Sequence, residues 1–94
     1  MNKISVTLFF LLFSRIFPQI SGSIFDKNTM EPLSNVNISS NIVGTVSKAD
    51  GTFTLNVAEG SELTFTHIGY EKENLLAKKN MTVYLKENVL NLEE

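Results

Sequence analysis

Residues 46–57 read VSKADGTFTLNV. Beyond the Asp50-Gly51 step, Phe53, Leu55 and Val57 alternate with Thr52, Thr54 and Asn56. That is the period of two of a strand with one apolar and one wetted face. Asp-Gly supplies the positive φ that a tight hairpin demands, so the stretch predicts a hairpin joining NIVGTVS (41–47) to TFTLNV (52–57). Val43 and Val46 lie on opposite faces of the first of these runs, and alternation does not decide which is buried.

The same pattern extends in both directions, with turn residues every eight to twelve positions, which predicts short strands in a sandwich or barrel. Upstream, ISGSIFD (20–26) is a first strand, closed by KNTMEP, in which Pro32 fixes φ and discourages a ladder partner. SNVNISS (34–40) directs Val36 and Ile38 one way and Asn35, Asn37 and Ser39 the other. Downstream, ELTFTHI (62–68) sets Leu63, Phe65 and His67 on one face against Thr64 and Thr66. YEKENLLA (70–77) is a weaker strand. MTVYLKE (81–87) closes with Met81, Val83 and Leu85 inward and Thr82, Tyr84 and Lys86 outward. The expectation is an all-β chain of about seven strands with a core of Ile24, Val36, Ile38, Phe53, Leu55, Val57, Leu63, Phe65, Met81, Val83 and Leu85. No stretch has the spacing of an amphipathic helix.

The chain has 94 residues, and its first nineteen stand apart from this pattern. Lys3 followed by the apolar block Ile4–Phe13 has the layout of an export signal and falls well short of the ~20 apolar residues that span a bilayer. The expectation is a signal peptide over 1–19, cut between residues 14 and 20, with Arg15 opposing an uncleaved anchor and no membrane span in the mature chain. Beyond residue 19, ten carboxylates face six lysines, and no basic cluster is present to neutralise phosphates, which argues against a nucleic-acid partner. There is no cysteine, so the fold rests on its core alone.

His67 is the only histidine. Glu62 falls on the opposite strand face from it and Glu71 lies beyond Gly69, and no His-x-x-His or His-x-x-Glu spacing occurs, so no zinc site is expected. A nucleophile elbow, a dinucleotide fingerprint and a P-loop are all missing from the sequence, and Ser47 and Ser61 read as turn residues. Asp26, Asp50 and Glu59 sit at turns without a calcium-loop pattern. Asn37-Ile38-Ser39 and Asn80-Met81-Thr82 match a glycosylation sequon but fall inside strands and are read as coincidence. No catalytic residue, metal or cofactor is expected. Tyr84 or Tyr70 could stack on a sugar.

Taken in order, ISGSIFDKNTMEPLSNVNIS, VGTVSKADGTFTL, LTFTHIGYEKE and MTVYLKE resemble the carboxypeptidase regulatory-like domain over Ile20–Glu94. The resemblance rests on Glu31-Pro32-Leu33, on Asp50-Gly51-x-Phe53 and on Ile68-Gly69-Tyr70. It implies a seven-stranded Greek-key-type β-sandwich of prealbumin (transthyretin) type over 20–87. Gly22, Pro32, Asp50, Gly51, Phe53, Phe65, His67, Gly69 and Tyr70 are then framework positions: Gly22 admits a close neighbour, Gly69 lets Tyr70 fold over the sheet, and His67 stands where the family usually has a flat aromatic ring. Lys48 departs from the family pattern, where an acidic or polar residue is more usual.

Such modules commonly open SusC-type TonB-dependent receptors, ahead of a TonB box, a plug and a barrel. The resemblance therefore implies an exported, non-catalytic accessory module of the periplasm or outer membrane of a Gram-negative bacterium, acting through a protein partner. Residues 88–94 would lead toward the TonB-box region, whether in a receptor fragment or in a free module. The alternative is a stand-alone glycan- or peptide-binding sandwich. A role beside a metallocarboxypeptidase is suggested only by where related domains occur.

Overall fold

A computed structural model describes residues 19–88; the signal-peptide expectation and the tail from residue 89 onward lie outside them. Seven strands form among the described residues, with no helix: β1 (Ile20–Asp26), β2 (Asn37–Ser39), β3 (Gly44–Val46), β4 (Thr52–Leu55), β5 (Glu62–Thr66), β6 (Glu73–Leu76) and β7 (Asn80–Leu85). They make a three-stranded sheet in the order β4-β1-β7 and a four-stranded sheet in the order β3-β2-β5-β6. The all-β sandwich expected from the alternation is the observed architecture.

β2, β4, β5 and β7 each turn their apolar set inward because the side-chain period is two. All eleven expected core residues are buried, and Ile20 and Ala77 join them. The centre is the edge-to-face pair of Phe53 from one sheet and Phe65 from the other, with ring centroids 5.9 Å apart. That geometry sets the positive ring edge of one against the negative face of the other. β1 is the axis of its sheet: it runs antiparallel to β4, with Gly22 opposite Phe53, and parallel to β7, with Gly22 opposite Met81. A Cβ on Gly22 would lie 2.7 Å from Phe53 Cε1 and 2.8 Å from the Met81 carbonyl oxygen, so only glycine leaves room for the Phe53 ring.

The structure corrects or completes three readings. The Asp50-Gly51 turn forms, with Gly51 at φ 83° and its N–H donating to the Lys48 carbonyl at 2.8 Å, but β3 and β4 do not pair. They belong to different sheets, so the turn is a corner and not a hairpin. The Gly51 carbonyl accepts from Ile24 N–H at 2.9 Å, which draws the start of β4 onto β1. Pro32, expected to discourage a ladder partner, forms no ladder but a one-residue antiparallel bridge with Phe25. The bridge needs nothing from the missing Pro32 N–H, since Asp26 N–H donates to the Glu31 carbonyl and Leu33 N–H to the Ile24 carbonyl, each at 2.9 Å. Finally, neither Val43 (37% exposed) nor Val46 (47%) is buried, because β3 is a three-residue edge strand with only Thr45 turned partly inward.

Candidate functional site

Among the described residues, a cluster of polar side chains drawn into the body of the sandwich lies where β1 ends. Along β1 the inward positions are Ile20, Gly22, Ile24 and Asp26, so the strand's own period places a carboxylate among core residues. Asp26 is only 6% exposed, and it is satisfied on both oxygens. Oδ1 accepts the Asn28 and Thr29 N–H groups at 2.7 and 2.9 Å, which builds the turn after the strand, and Oδ2 accepts the Tyr70 hydroxyl at 2.6 Å.

Tyr70 reaches this point because the chain bends at Gly69, where φ is 87°, and because its backbone bridges to Glu87 beyond β7. Its ring packs on the core, and the His67 ring meets it edge-to-face at 5.3 Å and 87°. His67 itself lies one residue past β5 and is half-buried. Its Nδ1 lies 2.8 Å from the Ile68 carbonyl oxygen and its Nε2 3.1 Å from that of Ser34. A neutral imidazole has a single N–H, so the tautomer decides which carbonyl receives it.

The electrostatics follow from these contacts. The Tyr70 hydroxyl, and then the Thr29 and Asn28 N–H groups, hold the Asp26 carboxyl below its ordinary range. In return the hydrogen bond to Asp26, reinforced by burial and by the negative charges of Asp26, Glu87 and Glu31, pushes the Tyr70 phenol up to about 12. The Tyr70 phenol, held in its protonated form, and both oxygens of the Asp26 carboxylate are taken up by hydrogen bonds within the fold, and the neutral His67 imidazole gives its one N–H to a main-chain carbonyl. The cluster ties β1, the segment after β5 and the segment after β7 together. Among the described residues no group of three or more His, Asp or Glu is placed to hold a metal ion.

The other framework positions lie away from this cluster. Phe53 and Phe65 are core, Gly22 and Gly51 admit close neighbours, and Asp50 shapes its turn by accepting Thr52 Oγ1–H at 2.6 Å and Thr52 N–H at 3.0 Å. Those two contacts with Thr52, the hydroxyl foremost, lower the Asp50 carboxyl's pKa. His67, Gly69 and Tyr70 come together around an Asp26 that had read as a turn residue, while Gly22, Phe53 and Phe65 meet in the core and Gly51 lies against Pro32. Ser47, also read as a turn residue, is instead a buried pin: its hydroxyl donates to the Leu33 carbonyl at 2.7 Å and accepts Val36 N–H at 2.9 Å. Tyr70 is committed to Asp26, which leaves Tyr84, 45% exposed and 6.0 Å from the Phe25 ring, as the tyrosine on the outer surface.

A two-sheet, all-β framework with an Asp26–Tyr70 polar lock defines a small sandwich module. The chain belongs to the carboxypeptidase regulatory-like family: the family model described as CarboxypepD_reg-like domain matches residues 20–94. No curated protein matches it.

Proposed function

We propose that the chain is a non-catalytic extracytoplasmic accessory module that works by contact with protein, in the manner of the domain that opens a SusC-type TonB-dependent nutrient receptor. The carrying observation is family membership over 20–94, together with a polar cluster in which Asp26 and Tyr70 use their hydrogen bonds to hold the fold. On this reading the export signal delivers it to the periplasm or the outer membrane, and the segment from residue 88 leads toward a TonB box, plug and barrel. Sequencing the gene past codon 94 tests the reading. A Val-rich box followed by plug and barrel coding sequence supports it; an unrelated sequence there removes the transport link.

A second reading, a glycan-binding module, is favoured by the outer face of the β4-β1-β7 sheet. There Ser21, Ser23, Thr52, Thr54, Asn80 and Thr82 form uncharged rows that end at Phe25 and Tyr84. Glycan-array binding that is lost on Tyr84→Ala supports this reading, and signal no higher than that of unfolded chain removes it.

A further inference from the structure

The described sheets have four edge strands, and three of them are short: β3 has three residues, β4 four and β6 four. The fourth, β7, has six. Its pairing with β1 uses one set of backbone groups only. Ser21 N–H donates to the Lys79 carbonyl and Lys27 N–H to that of Leu85, so in the parallel ladder the odd-numbered residues of β7 face β1. The N–H and C=O groups of Asn80, Thr82 and Tyr84 therefore point away from the sheet. Natural sheets block such edges with proline, bulges or inward-pointing charge. Between residues 80 and 85 the sequence NMTVYL contains none of these, and its alternation is unbroken.

Beside this edge the two sheets part. A cleft of about 440 Å³ opens between the end of β6 and the start of β7, lined by Leu75, Leu76, Lys78, Asn80, Met81 and Thr82. Leu76, 60% exposed, offers bare apolar surface there, and Lys78 sets a positive charge on the rim.

We propose that β7 is a docking edge for an extended segment of a partner polypeptide, which adds as a further strand beside it. This rests on the protein-contact reading above and names its surface. The occupant is specified by three features of the edge. Alternating backbone donors and acceptors are matched along their length by another extended backbone. The cleft receives one apolar side chain against Leu75, Leu76 and Met81. Lys78 selects an acidic residue next to it, a preference that salt weakens.

The test pans a displayed library of random twelve-residue peptides on the full chain, then measures a synthetic enriched peptide by titration and by amide hydrogen exchange. The expected result is enrichment of peptides with alternating apolar residues and an adjacent Asp or Glu. Their binding slows exchange at Asn80, Thr82 and Tyr84, and weakens at least tenfold in Leu76→Lys, whose urea midpoint matches wild type. Lys78→Glu, at an exposed position that tolerates change, reverses the acidic preference. No enrichment over library background, binding that protects none of the three amides, or binding unaffected by Leu76→Lys overturns the proposal. Failure here leaves the receptor reading to the downstream gene sequence, and an unrelated downstream sequence leaves a positive peptide result standing.

Discussion

The Tyr70 hydroxyl donates to Asp26 Oδ2 at 2.6 Å across 44 positions of sequence, joining the last residue of β1 to the bend after β5. Each partner changes the other's titration in the direction that stabilises the folded state near neutrality. The depressed Asp26 carboxyl contributes stability above its ordinary value of 3.8, and this is lost as the pH falls through the lower folded value. The raised Tyr70 phenol contributes stability below its ordinary value of 10.0, and this is lost as the pH rises toward about 12.

Urea denaturation of wild type and Tyr70→Phe across pH reads this directly. The wild-type advantage is largest on the plateau between those limits, shrinks as pH falls below 3.8 and shrinks again between pH 10 and 12. A constant difference from pH 3 to pH 12 would show that the hydroxyl acts by something other than this bond.

The chain has two tyrosines, so a Tyr84→Phe protein reports on Tyr70 alone. Its tyrosinate absorbance rises near pH 12, provided the fold persists, and Asp26→Asn in the same background brings the rise down toward 10. A single transition near 10 in both proteins contradicts the pairing.

Gly22→Ala forces a methyl group against the Phe53 ring and the Met81 carbonyl. Overpacking of this kind costs about 1–3 kcal/mol. Because one obstacle is a side chain, Phe53→Leu recovers part of the loss in a double-mutant cycle. Thermal or urea midpoints of the four proteins give the coupling.

Ser47→Ala removes the acceptor of Val36 N–H and the donor to the Leu33 carbonyl together. Leaving buried backbone groups unpaired costs about 1–3 kcal/mol. Ser61→Ala, at a position that bonds through its backbone, its N–H to the Ala58 carbonyl and its carbonyl from Ala77 N–H, is near neutral by the same urea assay.

Met30 holds φ at 65° with its side chain 54% exposed. The left-handed region costs an ordinary L residue about 1 kcal/mol and suits asparagine or glycine. Met30→Asn raises the urea midpoint, and an unchanged or lower midpoint would mean that the methionine makes compensating contacts.

Much of this architecture was legible because burial imposes a period. Phe53 with Leu55, Leu63 with Phe65, and Met81 with Val83 and Leu85 announce their faces by alternation alone. The error at β3 and β4 has a physical origin: Asp50-Gly51 encodes a reversal of the chain, and a reversal serves a corner between sheets as well as a hairpin within one. What fixed the choice was the Gly51 carbonyl meeting Ile24 N–H, a long-range contact that no local pattern carries. The site was legible only in part. Gly69 and Tyr70 stood out as a bend and a folding ring, but their target did not, although Asp26 sits in register with Ile20, Gly22 and Ile24 and that inward register was its signal. Ser47 gave no such warning, since a lone hydroxyl at a strand end looks alike whether it is wetted or pinned.

The parallel pairing of β1 with β7 gives the domain a particular order of events. Its first described strand finds its longest partner only in the last described one, with Ser21 and Asn80 59 positions apart. A nascent polypeptide that has emerged only as far as β6 holds β1 by β4 alone, and the Asp26–Tyr70 tie is not yet backed by Glu87. Closure is therefore a terminal step, slow in the way of folds built on distant contacts. Until it occurs β1 has only β4 beside it, and the sheet lacks the strand that carries Met81, Val83 and Leu85 into the core.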